Sequence, residues 1–155
     1  MKINIIWGCP ASGKSTYVQD HRGNNDITFD FDLIMRTLSG LGAHVKNDNL
    51  INYILGIRKY IIDNLKTEKK LDEAWIITTW VDDVFKEQFN DYQSVEYILM
   101  DTTEQECIDR INNNDDRQAN KKEQIKIVEE WFKKYKEQNK RKRLDLYIKL
   151  IDIDV

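Results

Sequence analysis

The chain has 155 residues, 41% of them hydrophobic and 33% charged, with a net charge of −3. That is enough apolar chain for one cored domain, so disordered and low-complexity classes are excluded, and the acidic balance argues against bulk nucleic acid or an anionic membrane surface as the main partner. Its apolar runs fall well short of the ~20 residues a bilayer span needs, and two cysteines, Cys9 and Cys107, make neither a disulfide framework nor a zinc site, which points to a reducing compartment.

Ile3–Trp7 is a short β-branched run that stops at a glycine and predicts a buried strand. Gly8 to Ser12 reads as a loop and Lys14 to Asp20 as a helix. Residues 27–31 predict a second strand, ending in carboxylates. Leu33 to Leu38 has helical spacing and runs into Gly40 and Gly42, which stop it. Asn49 to Leu65 is the strongest helix, with Leu50, Ile54, Ile57, Ile61 and Leu65 at three- or four-residue steps. Ala74 to Thr79 predicts a third strand, Val81 to Phe89 a short helix, and Val95 to Met100 a fourth strand. Thr103 and Glu106 have capping-box spacing at the head of a helix running to Ile111. A polar stretch, residues 112–120, precedes a helix from Lys122 to Arg143. Tyr147 to Ile153 reads as a last strand.

Strands that alternate with helices and are nearly all apolar predict a parallel sheet covered on both faces. The expectation is one three-layer α/β domain over residues 1–155, with about five strands and ligands bound beyond their C-terminal ends.

Gly8-Cys9-Pro10-Ala11-Ser12-Gly13-Lys14-Ser15 satisfies G-x-x-x-x-G-K-[ST] between a predicted strand and a predicted helix. The two glycines permit backbone angles that a Cβ would block. Amides from Ala11 to Thr16 can then converge on an anion at the positive end of a helix. Lys14 adds a mobile charge for the β- and γ-phosphates, and the Ser15 hydroxyl can ligate Mg²⁺. ATP with Mg²⁺ is the expected ligand. No N/T-K-x-D string reads a guanine base, and the third strand ends in Thr79 where many ATPases place aspartate. Asp101, after the fourth strand, reads as a strand-end or capping residue.

The glycine loop, Asp30-Phe31-Asp32 and the following Arg36 together resemble the small P-loop kinases. The nearest resemblance is to the bacteriophage polynucleotide 5′-hydroxyl kinase and zeta-toxin-like group, which includes compact phage ATP-binding kinases. The resemblance implies a P-loop NTPase fold and transfer of the γ-phosphate of ATP to a hydroxyl. The acceptor would be a nucleic-acid 5′ end, a nucleoside or a modified base. Asp32 matches the residue that takes the acceptor's proton, and Arg36 approximates the helix arginine that contacts the acceptor. Arg110 matches the first lid arginine and Arg117 approximates the second. It also implies a cytoplasmic protein, in the host cytoplasm if phage-encoded.

The residues alone agree in outline. Asp30 and Asp32, two apart on a strand, would share a face toward the glycine loop, one as base and one as an outer-sphere Mg²⁺ partner or substrate contact. Residues 112–120 are polar, without an apolar anchor, and fit a lid that delivers arginine to the phosphates, or a plain surface loop. Ala119 to Arg143 carries ten Lys/Arg against four Asp/Glu. Its Lys140–Arg143 cluster reads either as a nucleic-acid contact or as a solvated helix face. Arg58, Tyr53 and Trp80 fit an acceptor pocket less well than core or surface positions, and His21 and His44 have no partner pattern. Two alternatives stay open: a nucleoside monophosphate kinase, with Arg36 and Arg58 on the acceptor phosphate, and an ATP-binding regulatory module with little turnover.

Overall fold

A computed structural model describes residues 1–153. Four strands, β1 (Lys2–Trp7), β2 (Ile27–Phe29), β3 (Glu73–Thr78) and β4 (Val95–Leu99), form one parallel sheet in the order β2-β3-β1-β4. The helices are α1 (Lys14–His21), α2 (Phe31–Ser39), α3 (Ile51–Leu65), α4 (Asp83–Glu87), α5 (Glu104–Asn113) and α6 (Lys121–Ile153). Two 3-10 segments, Asp48–Leu50 and Asp115–Asn120, lead into α3 and α6.

Alternation along the strands builds both sheet faces. Ile3, Ile5, Ala74 and Ile76 face a core shared with Met35 of α2, Ile54 and Ile62 of α3 and Phe85 of α4. Ile6, Trp75 and Ile77 point the other way, onto Val18 of α1. Asn4 breaks this apolar pattern inside β1, but its buried amide donates to Glu73 Oε2 at 2.7 Å, which meets the need of a polar group taken out of water.

A third cluster sits beyond the ends of β1 and β4, where α5 and α6 pack together. It joins Cys9, Cys107, Ile111, Val128 and Trp131, with Trp7 and Trp80 against them. The Trp131 indole donates to the Thr79 carbonyl at 2.8 Å, so α6 is tied to the end of β3.

Two expectations are corrected. The sheet has four strands, and the segment from Tyr147 to Ile153 lies in α6 instead of forming a fifth. Residues 136–149 are mostly Lys, Arg, Glu, Gln and Leu without glycine or proline, so nothing stops the helix. The second strand also ends sooner, at Phe29, because Asp30 caps α2. Among the described residues no helix is long and apolar enough to cross a membrane.

Ile54 is fully buried where α3 meets the sheet. Ile54→Ala should lower unfolding stability by about 2–5 kcal/mol, read from urea denaturation.

Candidate active site

The loop from Gly8 to Gly13 links β1 to α1 through three residues of positive φ: Gly8 at 149°, Ala11 at 62° and Gly13 at 92°. A Cβ on Gly8 would stand 3.1 Å from Met100 Cβ, and one on Gly13 would stand 3.2 Å from Arg110 Nη1. The backbone angle demands glycine at both, and at Gly8 the Met100 Cβ also leaves little room for a side chain. Gly13 is the N-cap of α1 and offers no side chain, so the first amides of α1 have no cap. By contrast Asp30, Asp82 and Thr103 cap α2, α4 and α5 with side-chain oxygens. An uncapped helix start behind a glycine loop is a built anion seat.

Lys14 bridges that seat. Its Nζ donates to the carbonyls of Gly8 at 2.9 Å and Cys9 at 2.7 Å. Burial pushes its pKa down to about 8, against the opposing pull of the Asp32 and Asp30 carboxylates. Ser12 is buried, and its Oγ has no hydrogen-bond partner among the described residues. Cys9 is buried too, and its thiol is held protonated by a hydrogen bond with Cys107 and by burial.

Asp30 is the central acid. It is 6% exposed and uses its two oxygens differently. Oδ1 accepts from the amides of Asp32 and Leu33, at 3.0 and 3.4 Å, and caps α2. Oδ2 accepts from the Ser15 hydroxyl at 2.6 Å. Asp30 and Asp32 therefore do not share a strand face; they stand at the N-cap and in the first turn of α2. Asp32 is exposed there, and its charge acts on Lys14, Arg117 and His44.

The other wall comes from beyond β4. Thr102 Oγ1 donates to the Ser12 carbonyl at 2.8 Å, and Arg110 Nη1 to the Ala11 carbonyl at 3.2 Å. The capping box of Thr103 and Glu106 is formed as expected and starts the helix that carries Arg110. Of residues 112–120, expected as a polar lid, Asn112 and Asn113 end α5 and residues 115–120 form a 3-10 segment. Within it Arg117 is half-buried; burial lowers its pKa, while Asp32 and Cys107 raise it.

The structure thus gathers Lys14, Ser15, Asp30, Asp32, Arg110 and Arg117 around one loop. Arg36 stands apart: it is exposed on α2, and its guanidinium has no hydrogen bond or ion pair among the described residues. Arg58 is half-buried over the Phe85 ring, at 5.8 Å. Thr79 is exposed, so β3 ends without a carboxylate, and Asp101 is exposed while Thr103 does the capping. His44, which had no pattern in the sequence, is half-buried at a φ of 60°. Its carbonyl accepts from Asn120 of the lid at 3.4 Å, and the charges of Arg117, Asp32, Asp116 and Asp30 act on its ring. No local signal marks it, because its neighbours come from other elements.

No group of three or more metal-ligating side chains occurs among the described residues. A seat for Mg²⁺ does not need one, since that ion keeps several waters and takes one or two protein oxygens beside substrate phosphates. The Ser15 hydroxyl, bonded to the Asp30 carboxylate, is a donor set of that kind.

No family model and no curated protein matches the sequence. Solved structures match in fold. A chain in a structure of the Pnkp1/Rnl/Hen1 RNA repair complex superposes with a TM-score of 0.54 at 17% identity, covering 83% of this chain and 45% of that one. A second Pnkp1/Rnl/Hen1 structure gives a TM-score of 0.54 at 21% identity, covering 70% of this chain and 38% of that one. This chain spans less than half the length of either. The shared feature is an α/β fold with a parallel sheet flanked by helices.

Asp30→Ala removes a helix cap and should cost about 0.5–2 kcal/mol in urea unfolding, whereas Asp30→Asn, which still caps, should stay near the wild type. Lys14 gives a pH signature. Between about 8 and the ordinary lysine value of 10.5 the unfolded chain keeps a proton that the folded chain sheds, so folding gains stability as pH rises through that window. The stability of the wild type relative to Lys14→Met should climb there, measured by denaturation at successive pH values.

Proposed function

We propose that this chain is an ATP-dependent phosphotransferase that moves the γ-phosphate, with Mg²⁺, to a hydroxyl of a nucleic-acid 5′ end, a nucleoside or a modified base. The observation that carries the reading is the Ser15–Asp30 bond of 2.6 Å at the mouth of an uncapped glycine loop. It joins a phosphate seat to the helix that holds a second, free carboxylate. The fold likeness to a chain of an RNA repair complex favours a nucleic-acid end among the acceptors.

The residues divide the work. The amides of the loop and the start of α1 receive the phosphates, and Lys14 leaves the Gly8 and Cys9 carbonyls to meet them. Mg²⁺, when bound, would offset the charge of the phosphates. Ser15, oriented by Asp30, would hold it. Asp32, exposed and within the field of Lys14, accepts the proton of the acceptor hydroxyl. The acceptor oxygen bonds to the γ-phosphorus as the bond to the ADP oxygen breaks, and ADP departs. Arg110, already on the Ala11 carbonyl, and Arg117, facing Asp32, stabilise the charge on the transferring group.

Nothing in the site favours the monophosphate-kinase alternative, which needs arginines on an acceptor phosphate. Arg36 and Arg58 do not converge with the phosphate seat through any hydrogen bond or ion pair among the described residues.

The test is transfer of labelled γ-phosphate to a panel of 5′-hydroxyl DNA and RNA, nucleosides, nucleoside monophosphates and base-modified DNA. Lys14→Ala is the blank. Asp32→Asn should keep ATP affinity and lower turnover by about 10²–10⁴-fold. Unchanged transfer would remove Asp32 as base. Bound ATP with no product from the wild type would leave a regulatory module.

A further inference from the structure

We infer that Gln124 is the positioning residue for Arg117, holding its guanidinium over the phosphate site without neutralising it. The inference rests on the proposed role of Arg117 at the transferring phosphoryl group.

Gln124 lies in the first turns of α6, just past the lid, and is half-buried. Its two amide atoms are both spent on one residue. Arg117 Nη1 donates to Gln124 Oε1 at 2.7 Å, and Gln124 Nε2 donates back to the Arg117 carbonyl at 3.5 Å. Side chain and backbone of Arg117 are thus gripped from the same point. The backbone is fixed independently from the other side. The Arg117 amide donates to the Asn114 carbonyl at 3.1 Å. Gln118 Nε2 reaches the carbonyls of Ile111, Asn112 and Asn114 at 3.2, 3.1 and 2.8 Å, which ties the lid to the end of α5.

A long arginine on a polar lid otherwise samples many rotamers, and few of them point at a phosphate. The Gln124 bond selects one of them, which lowers the entropy that a phosphate contact would otherwise cost. The chemistry of the partner matters equally. A carboxylate at this position would keep the bond to the guanidinium as an ion pair and lose the donor to the Arg117 carbonyl, and the arginine charge would then be spent inside the protein. A neutral amide accepts one N–H and leaves the positive charge to act on the substrate. The carboxylate that does act on Arg117, Asp32, belongs to α2 across the site, where the acceptor hydroxyl is to enter.

The experiment is a double-mutant cycle on phosphoryl transfer, with Arg117→Ala, Gln124→Ala and the pair together, run beside the affinity for ADP with aluminium fluoride as a mimic of the transferring group. Arg117→Ala should cut kcat by about 10³-fold or more. Gln124→Ala should cut it by about 10²-fold, the scale of a displaced catalytic group, with KM for ATP unchanged. The double variant should be no slower than Arg117→Ala alone, because Gln124 acts only through Arg117. The affinity for ADP with aluminium fluoride should fall in the same order while that for ADP alone holds. Gln124→Glu, nearly isosteric and free of any packing loss, should also lower kcat.

Losses that multiply in the double variant, a wild-type rate in Gln124→Ala, or a wild-type rate in Gln124→Glu would each overturn the inference while leaving the function standing. A wild-type rate in Arg117→Ala, or no discrimination between ADP and ADP with aluminium fluoride by the wild type, would overturn the role of Arg117 itself and the inference with it.

Discussion

The open end of the sheet depends on one carboxylate with two neighbours. Asp30 stops β2 and starts α2 with one oxygen, and it holds the Ser15 hydroxyl with the other. The first bond is a helix cap of the ordinary kind. The second fastens the start of α1 to the start of α2, although fifteen positions separate the two residues. Because Asp30 is nearly buried, both bonds are shielded from water and neither is easily exchanged for a solvent contact. The distance from the phosphate seat to Asp32 is then set by a single turn of helix. A mobile strand end would not hold it so closely.

The second constraint comes from the far side. The segment after β4 is bound to the end of β1 by the Met100 amide on the Trp7 carbonyl, and to the glycine loop by Thr102 on Ser12 and Arg110 on Ala11. Behind these bonds, Cys9 of the loop packs with Cys107 and Ile111 of α5 and with Val128 and Trp131 of α6. The loop therefore rests on an apolar floor while its upper surface offers amides. Lys14 sits at the boundary. Burial drives its proton affinity down, and the loop carbonyls and the two aspartates pull against that loss. An anion beside Lys14 favours its charged form, so anion binding and the charge state of Lys14 are coupled.

The parts of this site that were readable in the sequence are those whose residue types obey local rules. Gly8 and Gly13 are required by positive φ, and Gly8 also by its contact with Met100. Thr103 and Glu106 announce a helix start through a spacing of three. The strands of the sheet follow from β-branched runs bounded by glycine and aspartate. The errors have equally local causes. Phe29 and Phe31 alternate with carboxylates and read as a continuing strand, but an aspartate able to cap two amides ends it one residue after Phe29. The segment near the C-terminus looks like a strand by its β-branched and aromatic content, yet it follows an unbroken run of helix formers. His44, Gln118 and Gln124 were not readable at all, since each matters through partners supplied by the folding of distant segments.

The end of β3 holds no carboxylate and is tied to α6 through its backbone. Thr79 stands where an aspartate would flank the phosphate seat, and its carbonyl is taken by the Trp131 indole. Trp80, next in the chain, packs edge-on against Trp7 and Trp131, with Lys134 4.0 Å above its ring. The end of β3 is therefore given over to anchoring α6, which also carries Gln124. The buried carboxylate at this end of the sheet is Asp30, one strand along at the end of β2, where it accepts from Ser15. One sheet edge provides the acid and the other provides the arginines, and the glycine loop of the central strand β1 lies between them.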